Sequence, residues 1–211
     1  MDGTFDVTDQ KYVLTTIMAE INKIPVPLCW MVSNSRSSET YIHFFEVLQQ
    51  KCRHRFRPEA VIGDFEQAIR VAVNSCLPGT NYFGDLFHLL QAARRWISSN
   101  GYPELATDAV ADVRVLYESE TATEFNANLK KFQEKWKLQF INFFQLLQNE
   151  WTEAVEPTVW AKFSRGPLIP SGDQVLESWH RRFRQLLQRP ACNIDQLVCF
   201  LRSEWDYFEA I

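Results

Sequence analysis

The sequence predicts an α/β fold, a mixed five-stranded sheet with a helical insertion before its last helices. Three observations point there. Three closely spaced runs rich in β-branched and aromatic residues open the chain, and their short gaps favour antiparallel hairpins over crossovers. Two further apolar runs, Ala60–Gly63 and Asn81–Phe83, each pass straight into a helical pattern. From Ser98 to about Val155 apolar residues recur at helical spacing alone.

The elements follow in order. Gly3–Val7, Tyr12–Glu20 and Val26–Val32 read as strands, with Pro25 and Pro27 marking an edge or a strand start. A helix is expected from Ser38 to Cys52, with Tyr41, Phe45, Leu48 and Cys52 as its apolar stripe and Glu39 in its positive first turn. Arg53, His54, Arg55 and Arg57 crowd its exit, either as a solvated helix end or as a phosphate-contacting patch. Strand Ala60–Gly63 leads to Asp64 and a helix from about Glu66 to Cys76, which stops at Pro78-Gly79. Strand Asn81–Phe83 leads through Gly84-Asp85 into a helix ending near Ile97.

The helical block opens with Pro103–Tyr117. A capping box, Thr121-x-x-Glu124, then starts a long helix with Phe125, Leu129, Phe132, Trp136, Phe140, Phe143 and Leu147 in its stripe. An aromatic stripe of this kind is ordinarily core rather than a base-stacking platform. Glu156–Gly172, with three prolines and two glycines, reads as an irregular return, followed by helices Asp173–Arg189 and Asn193–Glu209. Three meandering strands followed by alternating strands and helices describe an RNase H-like fold. Residues 1–97 form the first part of its core, 98–170 the helical insertion, and 171–211 the helices that complete it.

Bulk properties narrow the function. With 46% hydrophobic and 14% aromatic residues, the 211-residue chain can bury a core, as one domain or one domain with an insertion. No apolar run approaches the ~20 residues that span a bilayer, and a secretory signal is not expected at the N-terminus. The five cysteines (29, 52, 76, 192 and 199) are odd in number and contain no Cys-x-x-Cys, so reduced thiols of an intracellular protein are expected rather than a zinc finger or disulfide framework. A net charge of −4 argues against a free-standing nucleic-acid binder.

An acid at the end of a buried strand lies where active sites of open α/β sheets collect, which singles out Asp64. In the expected topology Asp2 sits on the central strand beside it. The late helix offers Glu177, flanking the stripe Leu176, Trp179, Phe183 and Leu186 and sharing its flank with His180, Arg181 and Arg184. Three convergent carboxylates suit hard divalent cations, and a metal offsets their mutual repulsion. Taken singly, each acid is more often a solvated residue.

Sequence context adds to this. Asp2-Gly3-Thr4-Phe5, Val26-Pro27-Leu28, Glu39-Thr40-Tyr41, Phe44-Phe45 and Asp64-Phe65-Glu66 come first. Phe87-His88 with Gln91-Ala92, Trp160-Ala161 and Leu176-Glu177-Ser178-Trp179-His180-Arg181-Arg182 follow in that order. Together they resemble the Mutator-like element (MULE) transposases, a DDE family with an RNase H-like catalytic domain, over nearly the whole chain. The resemblance implies that Asp2, Asp64 and Glu177 are the catalytic, metal-binding triad for two Mg²⁺ (or Mn²⁺) ions, and that Asp85-x-x-His88 is a signature motif. Glu66 and His180, beside triad members, are candidate supporting groups. Arg181, Arg182, Arg184 and Trp160 are candidates for DNA contact, against solvated-helix and core readings respectively.

The resemblance further implies DNA partners (transposon ends and target), a homo-oligomer, no membrane association and a nuclear location. It departs from the family in two places. The family has apolar strand residues ahead of its first acid, and asparagines where this chain has Gly172-Asp173-Gln174. The chain is therefore expected to be a catalytic domain cut out of, or decayed from, a longer transposase. Its alternative role is that of an inactive relic serving as an interaction or regulatory module.

Overall fold

The structure, a computed structural model, describes residues 1–4, 8, 11–21, 24–136, 156–166, 169–172, 174–186 and 192–209. In chain order its elements are β1 (Asp2–Thr4), β2 (Val13–Ile21), β3 (Ile24–Ser33), α1 (Ser38–Lys51), β4 (Ala60–Gly63), α2 (Gln67–Cys76), β5 (Asn81–Gly84) and α3 (Leu86–Ser99). A 3₁₀ turn (Pro103–Leu105), α4 (Ala106–Glu118), α5 (Ala122–Trp136), α6 (Pro157–Trp160), a second 3₁₀ turn (Lys162–Ser164), α7 (Gln174–Leu186) and α8 (Ile194–Glu209) complete them. They divide into two compact units, residues 1–81 with 173–211, and residues 82–172. None of the described helices is long and apolar enough to cross a membrane.

In the first unit β1, β2 and β3 form an antiparallel sheet in that order. Val13 to Ile17 of the middle strand are all buried. Leu14 packs in one cluster with Leu176, Trp179 and Phe183 of α7 and Leu197 and Leu201 of α8. The α7 residues recur at three- and four-residue spacing, so a single helix face is buried against the sheet. β3 lies at the sheet edge, where the ring nitrogens of Pro25 and Pro27 are tolerated. α1 starts at Ser37, whose hydroxyl accepts the Thr40 N–H, and it packs on α2. At the start of α8, Asn193 and Gln196 exchange side-chain to backbone hydrogen bonds of 2.9 and 3.0 Å.

In the second unit α3 buries Leu89, Ala93 and Ile97, and α4 buries Ala109, Val113 and Leu116; of the stripe expected on α5, Phe125, Phe132 and Trp136 are buried and Leu129 is partly exposed. The capping box at α5 forms. The Thr121 hydroxyl accepts the Glu124 N–H at 3.1 Å, and the Glu124 carboxylate accepts the Glu120 N–H at 2.8 Å. Phe140, Phe143 and Leu147, expected to extend that stripe, lie outside the described residues.

One expectation is overturned. Among the described residues there is no mixed five-stranded, RNase H-like sheet: β1–β3 form one small sheet, β4 pairs with β5 in another, and helices carry most of the described residues. Among the described residues the ladder of β1 runs to β2. Its three residues pair with Thr16, Thr15 and Leu14 of β2. Towards β4 the link comes from ahead of the strand, where the Met1 nitrogen donates to the Ile62 carbonyl at 2.6 Å.

Candidate active site

Asp64 follows β4 directly and is partly exposed. Its Oδ1 accepts the Glu66 N–H at 3.0 Å, a side-chain turn that fixes the carboxylate at the entry to α2. Glu66 occupies the N-cap position of α2, but its side chain does not cap the helix. Instead Arg36 Nη2 donates to Glu66 Oε2 at 2.8 Å, and the Tyr41 hydroxyl lies 3.4 Å from the same oxygen. Burial first, then the Glu66 carboxylate, pushes the Tyr41 phenol up to about 12. The two neighbouring acids are thus held differently. Glu66 is tied back to α1 and its approach, and Asp64 is oriented by the backbone.

Asp2 opens β1 opposite Thr16 of β2. Thr16 is buried, and its hydroxyl lies 3.4 Å from Nε2 of His180, itself 1% exposed, on α7. Glu177 comes three residues before His180 in the same helix. Three of the expected positions are thereby tied into one chain of contacts within the first unit. Met1 touches β4 two residues before Asp64, Asp2 pairs with Thr16, and Thr16 meets the α7 turn that carries Glu177. The side chains of Asp2 and Glu177 lie outside the described residues. Among the described ones, no three His, Cys, Asp or Glu gather as a metal requires.

The arginines of α7 divide. Arg181 and Arg184 are exposed. Arg182 pairs with Glu204 of α8, which also accepts the Trp179 Nε1–H at 3.0 Å. Arg182 therefore fastens α7 to α8.

The remaining expected residues belong to the second unit. Asp85 is fully buried and caps α3, its Oδ1 accepting the His88 N–H at 3.0 Å. Arg165, 9% exposed, donates to the Gly84 carbonyl and, at 2.8 Å, to the Pro170 carbonyl. It stacks over the rings of Phe83 and Tyr117 at 5.0 and 5.3 Å. Burial pulls its guanidinium below the ordinary value, while Tyr117 and Asp85 act in the opposite direction. Trp160 is fully buried edge-on to Phe125 at 5.3 Å, a core position.

Thr16, Arg36 and Arg165 were not singled out by the sequence. Arg165 lies in the irregular return, and nothing local marks it as buried. Arg36 precedes a helix like many solvated cations, and its partner is 30 residues away. No family model matches this chain, and no curated protein matches it.

Proposed function

We propose that this chain is the catalytic part of a DDE transposase of the Mutator-like kind, cleaving DNA at transposon ends and joining the freed 3′-hydroxyl to target DNA. The observation that carries the reading is the chain of contacts linking the Asp2, Asp64 and Glu177 positions in one unit. Carboxylate oxygens are the donors that Mg²⁺ or Mn²⁺ prefer, so Asp2, Asp64 and Glu177 have the donor chemistry such ions take. When bound, they supply the Lewis acidity that activates the attacking oxygen and stabilises the leaving one.

The chain's own residues have separate tasks in this reading. Asp2, Asp64 and Glu177 hold the ions. The Glu66 N–H sets the rotation of Asp64, while Arg36 and Tyr41 keep the Glu66 carboxylate from competing for cations. His180 packs against Thr16 and fixes the α7 turn beside β1. Arg181 and Arg184, exposed on that helix, face DNA phosphates. The protein acts in the nucleus, as a homo-oligomer spanning two DNA ends.

Nicking of supercoiled plasmid in Mn²⁺ is the test. The wild type nicks and Asp64→Ala does not, and pre-cleaved ends give joined product with the wild type alone. A second reading, an inactive relic acting as an interaction module, is favoured by the sheet pairing, in which β1–β3 form one small sheet and β4 pairs with β5 in another. Wild-type nicking no faster than that of Asp64→Ala would establish it.

A further inference from the structure

We infer that the segment from Lys51 to Arg57 is a docking surface for the phosphate backbone of duplex nucleic acid, separate from the carboxylates above. Lys51, Arg53, His54, Arg55 and Arg57 are all exposed. Among the described residues, none of the lysine or the three arginines takes part in an ion pair. Such a concentration of unneutralised cations stands out in a chain of net charge −4.

The segment is built rather than loose. The His54 N–H donates to the Gln49 carbonyl at 2.7 Å, and the Arg55 N–H to the Cys52 carbonyl at 3.0 Å. Gln49 Nε2 holds the Phe56 carbonyl at 2.7 Å, and the Thr80 hydroxyl holds the Pro58 carbonyl at 2.7 Å. Within it Arg53 and His54 adopt left-handed backbone, φ 50° and 58°. Helix ends of this shape usually carry glycine or asparagine. Large cationic side chains are here retained at positions where the backbone alone would favour glycine.

Beside the segment is an open cavity of about 480 Å³, lined by His54 and Arg57 with Gln49, Ser75 and Thr80, and by one acid, Glu46. Phe56, Leu77 and Pro78 also line it, and the Gln49 amide and Thr80 hydroxyl donate within the fold, so His54, Arg57 and Ser75 are its groups for phosphate oxygens. Three of the four permanent charges are arginine, whose planar fork matches phosphate. They alternate at positions 53, 55 and 57, which spreads them along the chain. A single small anion would engage one or two of them; a line of phosphates engages the set.

The experiment is fluorescence anisotropy with a labelled DNA duplex of random sequence, in EDTA, over a range of salt concentrations. EDTA removes divalent ions from the carboxylates, Arg181 and Arg184 contribute equally to wild type and variant, and nicking assays remain an independent test of the carboxylate site. The triple variant Arg53→Gln, Arg55→Gln, Arg57→Gln is expected to bind about ten- to a hundredfold more weakly at low salt. Its slope of log K against log salt should be shallower by about 0.9 for each phosphate it no longer engages. Arg55→Glu alone gives the same trend should the triple variant fold poorly. Arg53→Gly should weaken binding while leaving Tm unchanged or raised. Wild-type affinity and slope in the triple variant, or displacement of the duplex by poly-glutamate at equal charge concentration, would overturn the inference.

Discussion

Gly63-Asp64 and Gly84-Asp85 are the same local pattern in two units of the molecule: a short strand, a buried glycine, an aspartate, then a helix. Each aspartate accepts a backbone N–H ahead of it at 3.0 Å. Their surroundings differ. Asp64 keeps part of its surface, and the nearby cation Arg36 is engaged by Glu66. Asp85 is fully buried in the unit whose interior also holds the cationic Arg165. A carboxylate that retains solvent and is oriented by the backbone can take a cation. One that is sealed in and engaged in capping a helix holds structure together. The short-range pattern fixes where an acid comes in the fold, and the long-range neighbours decide what it does.

The largest expected effect breaks this comparison at Arg165. Arg165→Met leaves the Gly84 and Pro170 carbonyls without their donor. With one buried and one part-buried acceptor left unsatisfied, the loss should be about 2–4 kcal/mol, read from urea unfolding. Asp64→Ala removes one side-chain hydrogen bond at a partly exposed helix entry and should lower stability by about 1 kcal/mol, although it abolishes nicking. Equal costs at the two sites would mean that the two aspartates are not different in kind.

A second test acts on Asp85 from the other side. A Cβ at Gly172 would stand 2.5 Å from Asp85 Oδ2 and 3.4 Å from its Cγ. Gly172→Ala must therefore displace a buried carboxylate, at about 1–3 kcal/mol. At Gly166 the nearest atom is the Ile169 Cδ1 at 3.9 Å, so Gly166→Ala should stay within about 0.5 kcal/mol of wild type. Thermal melts of the two variants give the contrast directly.

The order of elements was readable because each is written in local periodicity. The α7 stripe, the Asn193 and Thr121 caps and the apolar run ending at Asp64 all appear as the spacing implies. Sheet assembly was not readable, because whether β1 joins β4 depends on strand length and long-range pairing. The partners of the candidate site were hidden for a similar reason. Thr16 and His180 are 164 residues apart, and Arg36 and Glu66 are 30 apart. Trp160 shows the limit of residue type as a signal. Tryptophan suits base stacking and core packing alike, and burial against Phe125 decides for the core.

The smallest expected effect sharpens the comparison on the Asp64 side. The Tyr41 phenol, pushed from 10.0 up to about 12 by burial and then by Glu66, keeps its proton longer in the folded chain than in the unfolded one. Below about pH 10 both states hold the proton, and stability does not depend on it. Between about pH 10 and 12 the unfolded state loses its proton first and binds fewer, so stability falls as pH rises. Tyr41→Phe keeps the buried ring but has no proton to lose. The wild-type minus variant difference in urea midpoint should therefore be constant to about pH 10 and decline above it. A flat difference across that range would mean that the Tyr41 hydroxyl is solvated. Glu66 would then be held by Arg36 alone, leaving its carboxylate freer to compete with Asp64 for cations.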